Sequence, residues 1–120
     1  MSADSTVTAE QKELGSTGEF IKKGWEFKAS GKIDDAEASF RKAISADPSS
    51  VEAYYGLSLT LKSQDRRQDS IAGFEKVLEL IDLGMENRVR GEMLRRLALA
   101  HINQLRSGDW NLEKEIWKHK

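Results

Sequence analysis

The stretch FIKKGWEFKASGKIDDAEASFRKAISADP, residues 20–48, has a counterpart 34 positions on in YYGLSLTLKSQDRRQDSIAGFEKVLELID, residues 54–82. At that shift Gly24, Ala36, Phe40 and Ala43 fall on Ser58, Ser70, Phe74 and Val77, while Phe20 and Phe27 fall on Tyr54 and Leu61. Small residues recur where small residues stood, and large apolar ones where large apolar ones stood. A period of this length, made of two amphipathic helices per unit, marks an all-α solenoid whose repeats bury a core only by stacking. Such a chain is built for binding rather than for catalysis.

Each unit can be read residue by residue. Phe20, Ile21, Gly24, Trp25 and Phe27 lie at the three- and four-residue spacings of an apolar helical stripe. Ser16 and Glu19 have the spacing of a capping box, which places the helix start there. Residues 1–15 are then a disordered or weakly helical tail, with a short helical turn allowed through Ala9–Leu14. Gly31 suits the left-handed conformation that ends a helix. Asp34 and Asp35 favour the positive end of the next helix, which carries Ile33, Ala36, Phe40, Ala43 and Ile44 and is stopped by Pro48, the chain's single proline. In the second unit, Val51 to about Leu83, the turn Ser63-Gln64-Asp65-Arg66-Arg67 lacks that glycine, and Asp69 or Asp65 is positioned to cap the following helix.

A third, irregular unit is expected over residues 87–120. Leu94, Leu97, Ala98 and His101 repeat Tyr54, Leu57, Ser58 and Leu61 at an offset of 40 rather than 34, which implies about six extra residues near 85–91. Its first helix should start near Asn87 and run to Leu105 as the longest of the chain. Trp110, Leu112, Ile116 and Trp117 give a last helix its apolar side. Residues 16–120 thus read as one domain of three units, about 17–50, 51–84 and 87–120.

Composition excludes several classes. With 19 Lys and Arg against 20 Asp and Glu among 120 residues, the molecule has no overall field for a polyanion, and nucleic acid is not the expected partner. The last third, residues 85–120, holds eight basic and five acidic side chains and is mildly basic. Binding of RNA or lipid headgroups through Arg88, Arg90, Arg95, Arg96 and Arg106 is the weakest of three functional readings, given the overall charge balance. No cysteine is present, which removes disulfides, thiolate metal sites and cysteine nucleophiles together. No basic, apolar leader and no run of about 18 apolar residues occurs, so no membrane partner and a cytoplasmic location are expected. His101 and His119 are the two histidines, and neither has a second ligand at metal spacing. His101 falls at a buried helical position and reads as a hydrogen-bonded core residue. No cofactor and no enzymatic activity are expected.

The order of residue types resembles the tetratricopeptide repeat family. Its aromatic, large apolar, glycine, aromatic, alanine, aromatic, proline pattern is matched by Phe20, Lys23, Gly24, Phe27, Ala36, Phe40 and Pro48, then by Tyr54, Leu57, Ser58, Leu61, Ser70, Phe74 and Asp82. Lys23 and Asp82 depart from the pattern. The resemblance implies a protein–protein interaction module that takes a peptide or helix in a concave groove lined by the first helix of each unit.

Carrying the groove positions over gives Ile21, Lys22, Trp25, Lys28 and Ala29, then Glu52, Tyr55, Gly56, Leu59, Lys62 and Ser63, then Glu92, Arg95, Arg96, Leu99 and Asn103. The expected partner-binding set is Lys22, Trp25, Lys28, Tyr55, Leu59, Lys62, Arg95, Arg96 and Leu99. Its apolar and cationic types call for a ligand with acidic and apolar side chains. The clamp by which co-chaperones of this family hold a chaperone's C-terminal carboxylate needs amide donors, yet Ile21, Trp25 and Gly56 stand at those places. That subtype is excluded. The alternative is a self-assembling scaffold, a homodimer formed through Trp110, Leu112, Ile116 and Trp117 at an uncapped solenoid end.

Overall fold

The computed structural model describes the backbone of residues 9–85 and 87–107, with side chains from Ser16 onward. Among the described residues the chain forms helices α1 (Ala9–Ala29), α2 (Ile33–Ala46), α3 (Val51–Ser63), α4 (Arg67–Leu83) and α5 (Arg88–Ser107), and no strand. Each helix packs against the next, and α1 also meets α3. This is the stacked helix-pair architecture that the repeat requires.

Both repeats turn in the same way, and the reason is visible in the backbone. Gly31 has φ +79°, and the Lys32 and Gly31 amides donate to the carbonyls of Phe27 and Lys28. Thirty-four positions on, Asp65 has φ +60°, and the Arg66 and Asp65 amides donate to Leu61 and Lys62. Each is a Schellman closure in which one left-handed residue lets the last carbonyls of a helix be satisfied. Asp65 therefore occupies the glycine position and is not a cap: Arg66 stands at the N-cap of α4 without a side-chain cap bond, and Asp69 pairs with Arg66 at 3.1 Å. An L side chain pays a steric penalty in that region that glycine avoids. Replacing Asp65 with glycine is expected to raise the unfolding free energy by about 0.5–1 kcal/mol, checked by urea denaturation.

Other helix boundaries follow local chemistry. Ser50 Oγ accepts from the Ala53 amide at 3.2 Å and caps α3, and Asn87 Oδ1 accepts from the Arg90 amide at 2.9 Å where α5 begins. The α5 start is where the sequence placed it. The start of α1 is not. It lies at Ala9, so Ser16 is inside the helix, because Ala9 to Leu14 are strong helix formers and extending a nucleated helix is cheap. At 21 residues α1 also exceeds the 20 of α5. The proposed C-terminal helix with Trp110, Leu112, Ile116 and Trp117 lies outside the described residues.

Matched positions carry the core. Ala36, Phe40 and Ala43 of α2 are fully buried, as are Ser58, Ser70, Phe74 and Val77 of the second unit, and Gly24 is buried too. The Phe40 ring lies between two glycines of different units, since a Cβ added at Gly24 or at Gly56 would strike it. Gly56 thus serves inter-unit packing and is not a groove residue. Its missing side chain lets α3 approach α2 across the unit boundary. Behind it Ser70 Oγ donates to the Ser58 carbonyl at 2.8 Å, and Ser58 Oγ donates to the Tyr54 carbonyl at 2.7 Å, so the buried hydroxyls are satisfied. Outside the core, Glu37 of α2 accepts from Gln64 Nε2 at 2.9 Å, from Arg66 at 3.1 Å and from Arg41 at 2.8 Å, joining the first unit to the turn of the second.

Candidate partner-binding face

Helices α1, α3 and α5 form one row held by direct side-chain links. Lys28 Nζ of α1 donates to Ser63 Oγ of α3 at 3.2 Å, and Ser63 Oγ donates to the Leu59 carbonyl. Between α3 and α5, Lys62 Nζ lies 3.1 Å from His101 Nδ1, Tyr55 Oη lies 3.4 Å from His101 Nε2, and Glu52 pairs with Arg90. On the opposite side, between α2 and α4, a cleft of about 440 Å³ opens over Tyr54. The α1–α3–α5 row is thus joined by side-chain contacts across both unit boundaries.

The α3 residues of that row come from one helical line. Glu52, Tyr55, Leu59 and Lys62 recur at spacings of three and four, which stacks them on one face. Tyr55 is half-buried, edge-on to Phe74 with centroids 5.8 Å apart, and burial raises its pKa. Burial also lowers the pKa of Lys62. His101 lies flat on Phe74, at 4.7 Å and 4°, with 8% of its surface exposed. Burial, and secondarily the Lys62 charge, push it down to about 4, so it is neutral at pH 7. Reading His101 as a hydrogen-bonded core histidine agrees with this placement.

In α1, Trp25 is half-buried and edge-on to Phe40, with centroids 5.1 Å apart, so part of its surface belongs to the core. Lys28 is half-buried and Lys22 exposed. The structure therefore brings Trp25, Lys28, Tyr55, Leu59 and Lys62 onto neighbouring helices of one face.

Helix α5 presents a different side from the one its alignment gave. Arg95 reaches Asp82 of α4 at 2.6 Å and Arg106 reaches Glu75 of α4 at 2.9 Å, whereas Arg90 and His101 meet α3. At about 100° per residue, Arg95 lies roughly 120° round the helix from His101. Arg96 is exposed and Leu99 half-buried. The extra residues before α5 set its rotation independently of the repeat. Leu94, Ala98, His101, Ile102 and Leu105 are buried while Leu97 is not. Sequence reasoning missed Ser63 and His101 as connectors of the row. Their signal was a serine one turn after Leu59 and a histidine at an otherwise apolar repeat position.

Among the described residues no group of three or more His, Asp or Glu side chains is placed to hold a metal ion, and no helix is long and apolar enough to cross a membrane. The family model for the tetratricopeptide repeat matches twice in succession, at residues 20–50 and 51–82. The chain belongs to the tetratricopeptide repeat family, with two regular repeats followed by the divergent helix α5. No curated protein and no solved structure matches it. Repeats of this family mediate protein–protein interaction.

Proposed function

We propose that the row of α1, α3 and α5 binds an extended or helical segment of a partner protein that carries acidic and apolar side chains. The supporting observation is the side-by-side exposure of half-buried apolar surface at Trp25 and Leu59 with the cations Lys22 and Lys28, neither of which enters an ion pair among the described residues. Apolar anchors beside cations complement a segment that pairs hydrophobic with carboxylate side chains. Leu59→Glu places a like charge where an acidic ligand would lie. It is expected to weaken partner capture about tenfold or more while helical content and melting are retained. Capture of the same proteins by the wild type and Leu59→Glu would overturn the reading.

One observation favours a second reading, self-assembly through α5. Val89, Met93 and Leu97 lie four residues apart on α5 and are 82%, 48% and 37% exposed. Such an exposed apolar stripe suits association with a second copy. Sedimentation of the full chain against Met93→Glu separates the readings: dimers lost in the variant support it, and a wild-type monomer at high concentration rejects it.

A further inference from the structure

We propose that two copies of the chain pair antiparallel through α5, with Met93 on the two-fold axis, Val89 of one copy against Leu97 of the other, and reciprocal ion pairs between Glu92 and Arg96; the proposal rests on the self-assembly reading above. The stripe itself sets the register. Val89 and Leu97 stand evenly about Met93, and Ala100, next along that side of the helix, is buried, so the exposed line ends at Leu97. A two-fold contact is self-complementary: if one residue meets another on the second copy, that other meets the first in return. Centred on Met93 and run in opposite senses, the two stripes cover each other from end to end.

Charge then selects the direction. Glu92 and Arg96 lie on one flank of the stripe, roughly 100° and 60° round the helix from Met93. Both are exposed, and neither enters an ion pair among the described residues. In an antiparallel two-fold pair this flank meets the same flank of the second copy. Glu92 of one copy then stands about 3 Å, measured along the helix, from Arg96 of the other, and the exchange occurs twice. A parallel pair would turn the flank toward Arg90 instead, which Glu52 already holds. Only the antiparallel arrangement gives both free charges a partner.

The contact is short, since the stripe rises about 12 Å, so the dimer belongs to the transient class and half-association is expected at on the order of 0.1 mM. Sedimentation of the full chain is expected to show dimerisation weakened about tenfold by Glu92→Arg or by Arg96→Glu, each of which turns two attractions into repulsions. The double variant should recover it, as should an equimolar mixture of the two single variants. All of these positions are exposed, so melting should match the wild type. The chain has no cysteine, so introduced thiols report the arrangement alone. Under mild oxidation Met93→Cys should crosslink to itself, and Val89→Cys to Leu97→Cys. Val89→Cys should not crosslink to itself, because those two positions would stand about 12 Å apart along the axis, beyond the reach of a disulfide. Self-crosslinking of Val89→Cys, or charge reversals without effect, overturns the arrangement. If Met93→Glu still abolishes dimers in that case, the self-assembly reading stands alone. Dimers that survive Met93→Glu, or a wild-type monomer at high concentration that leaves the stripe to another occupant, overturn both.

Discussion

Phe40→Ala is expected to lower the unfolding free energy by roughly 3–5 kcal/mol, enough to leave a domain of this size unfolded or nearly so at 37 °C. The side chain has no exposed surface, and its ring fills the space that Gly24 of α1 and Gly56 of α3 leave open. Neither glycine can supply atoms to fill the cavity, so relaxation is limited and the cost should lie at the upper end of that range. The complementary change, Gly56→Ala, adds a methyl group where the ring already lies and should cost about 1–3 kcal/mol by overpacking. Chemical denaturation of both variants checks the pair. A loss under about 1 kcal/mol for Phe40→Ala would mean the two glycines do not enclose that ring.

The second large effect is a loss of stability on mild acidification. His101 in the folded chain is pushed down to about 4 from the usual 6.5 by burial and then by Lys62. Below 6.5 the unfolded chain therefore binds a proton that the folded chain refuses. Stability is complete above pH 6.5 and falls as pH drops toward 4, by on the order of 2–3 kcal/mol. A second fall follows at lower pH. Glu37 is held at about 2 against 4.5 by the hydrogen bond from Gln64, opposed by desolvation and helped by Arg41 and Arg66. Its contribution is present above 4.5 and is lost toward 2; with solvent screening at that surface it is worth about 1 kcal/mol. Denaturation midpoints at pH 7, 5.5 and 4 check the first step. His101→Phe keeps a ring over Phe74 and cannot titrate, so its midpoint should stay level from pH 7 to 5.5 and fall less than the wild type's at pH 4, where Glu37 begins to titrate; a parallel decline in both proteins would assign the loss to other groups.

Most of the fold is legible in residues 20–82 because close packing imposes size on the sequence. Phe40 and Phe74 have to be large, Gly24, Ala36, Ser58 and Ser70 have to be small, and Gly24, Ala36, Phe40 and Ala43 are buried together with their counterparts Ser58, Ser70, Phe74 and Val77. Asp65 shows the limit of that rule. The turn needs a left-handed residue, which glycine announces and aspartate does not, although the shared period placed it opposite Gly31. The candidate site is legible in α1 and α3, where the period fixes which face each side chain takes. It fails in α5, where Arg95 turned to Asp82, because the rotation of a helix after an insertion depends on contacts that spacing does not record. Gly56 was misplaced for a related reason. A glycine on a groove-facing line looks like an open surface, but the ring it admits belongs to the neighbouring unit.

That shared ring makes the boundary between the two regular repeats a poor place to divide the molecule. Unit one cannot close its interior without an atom-sized vacancy lent by unit two, and the Glu37 network ties the same pair from outside. Because neither pair is complete without the other, heat or denaturant is expected to find no half-melted form to populate, and the two to unfold cooperatively in a single step.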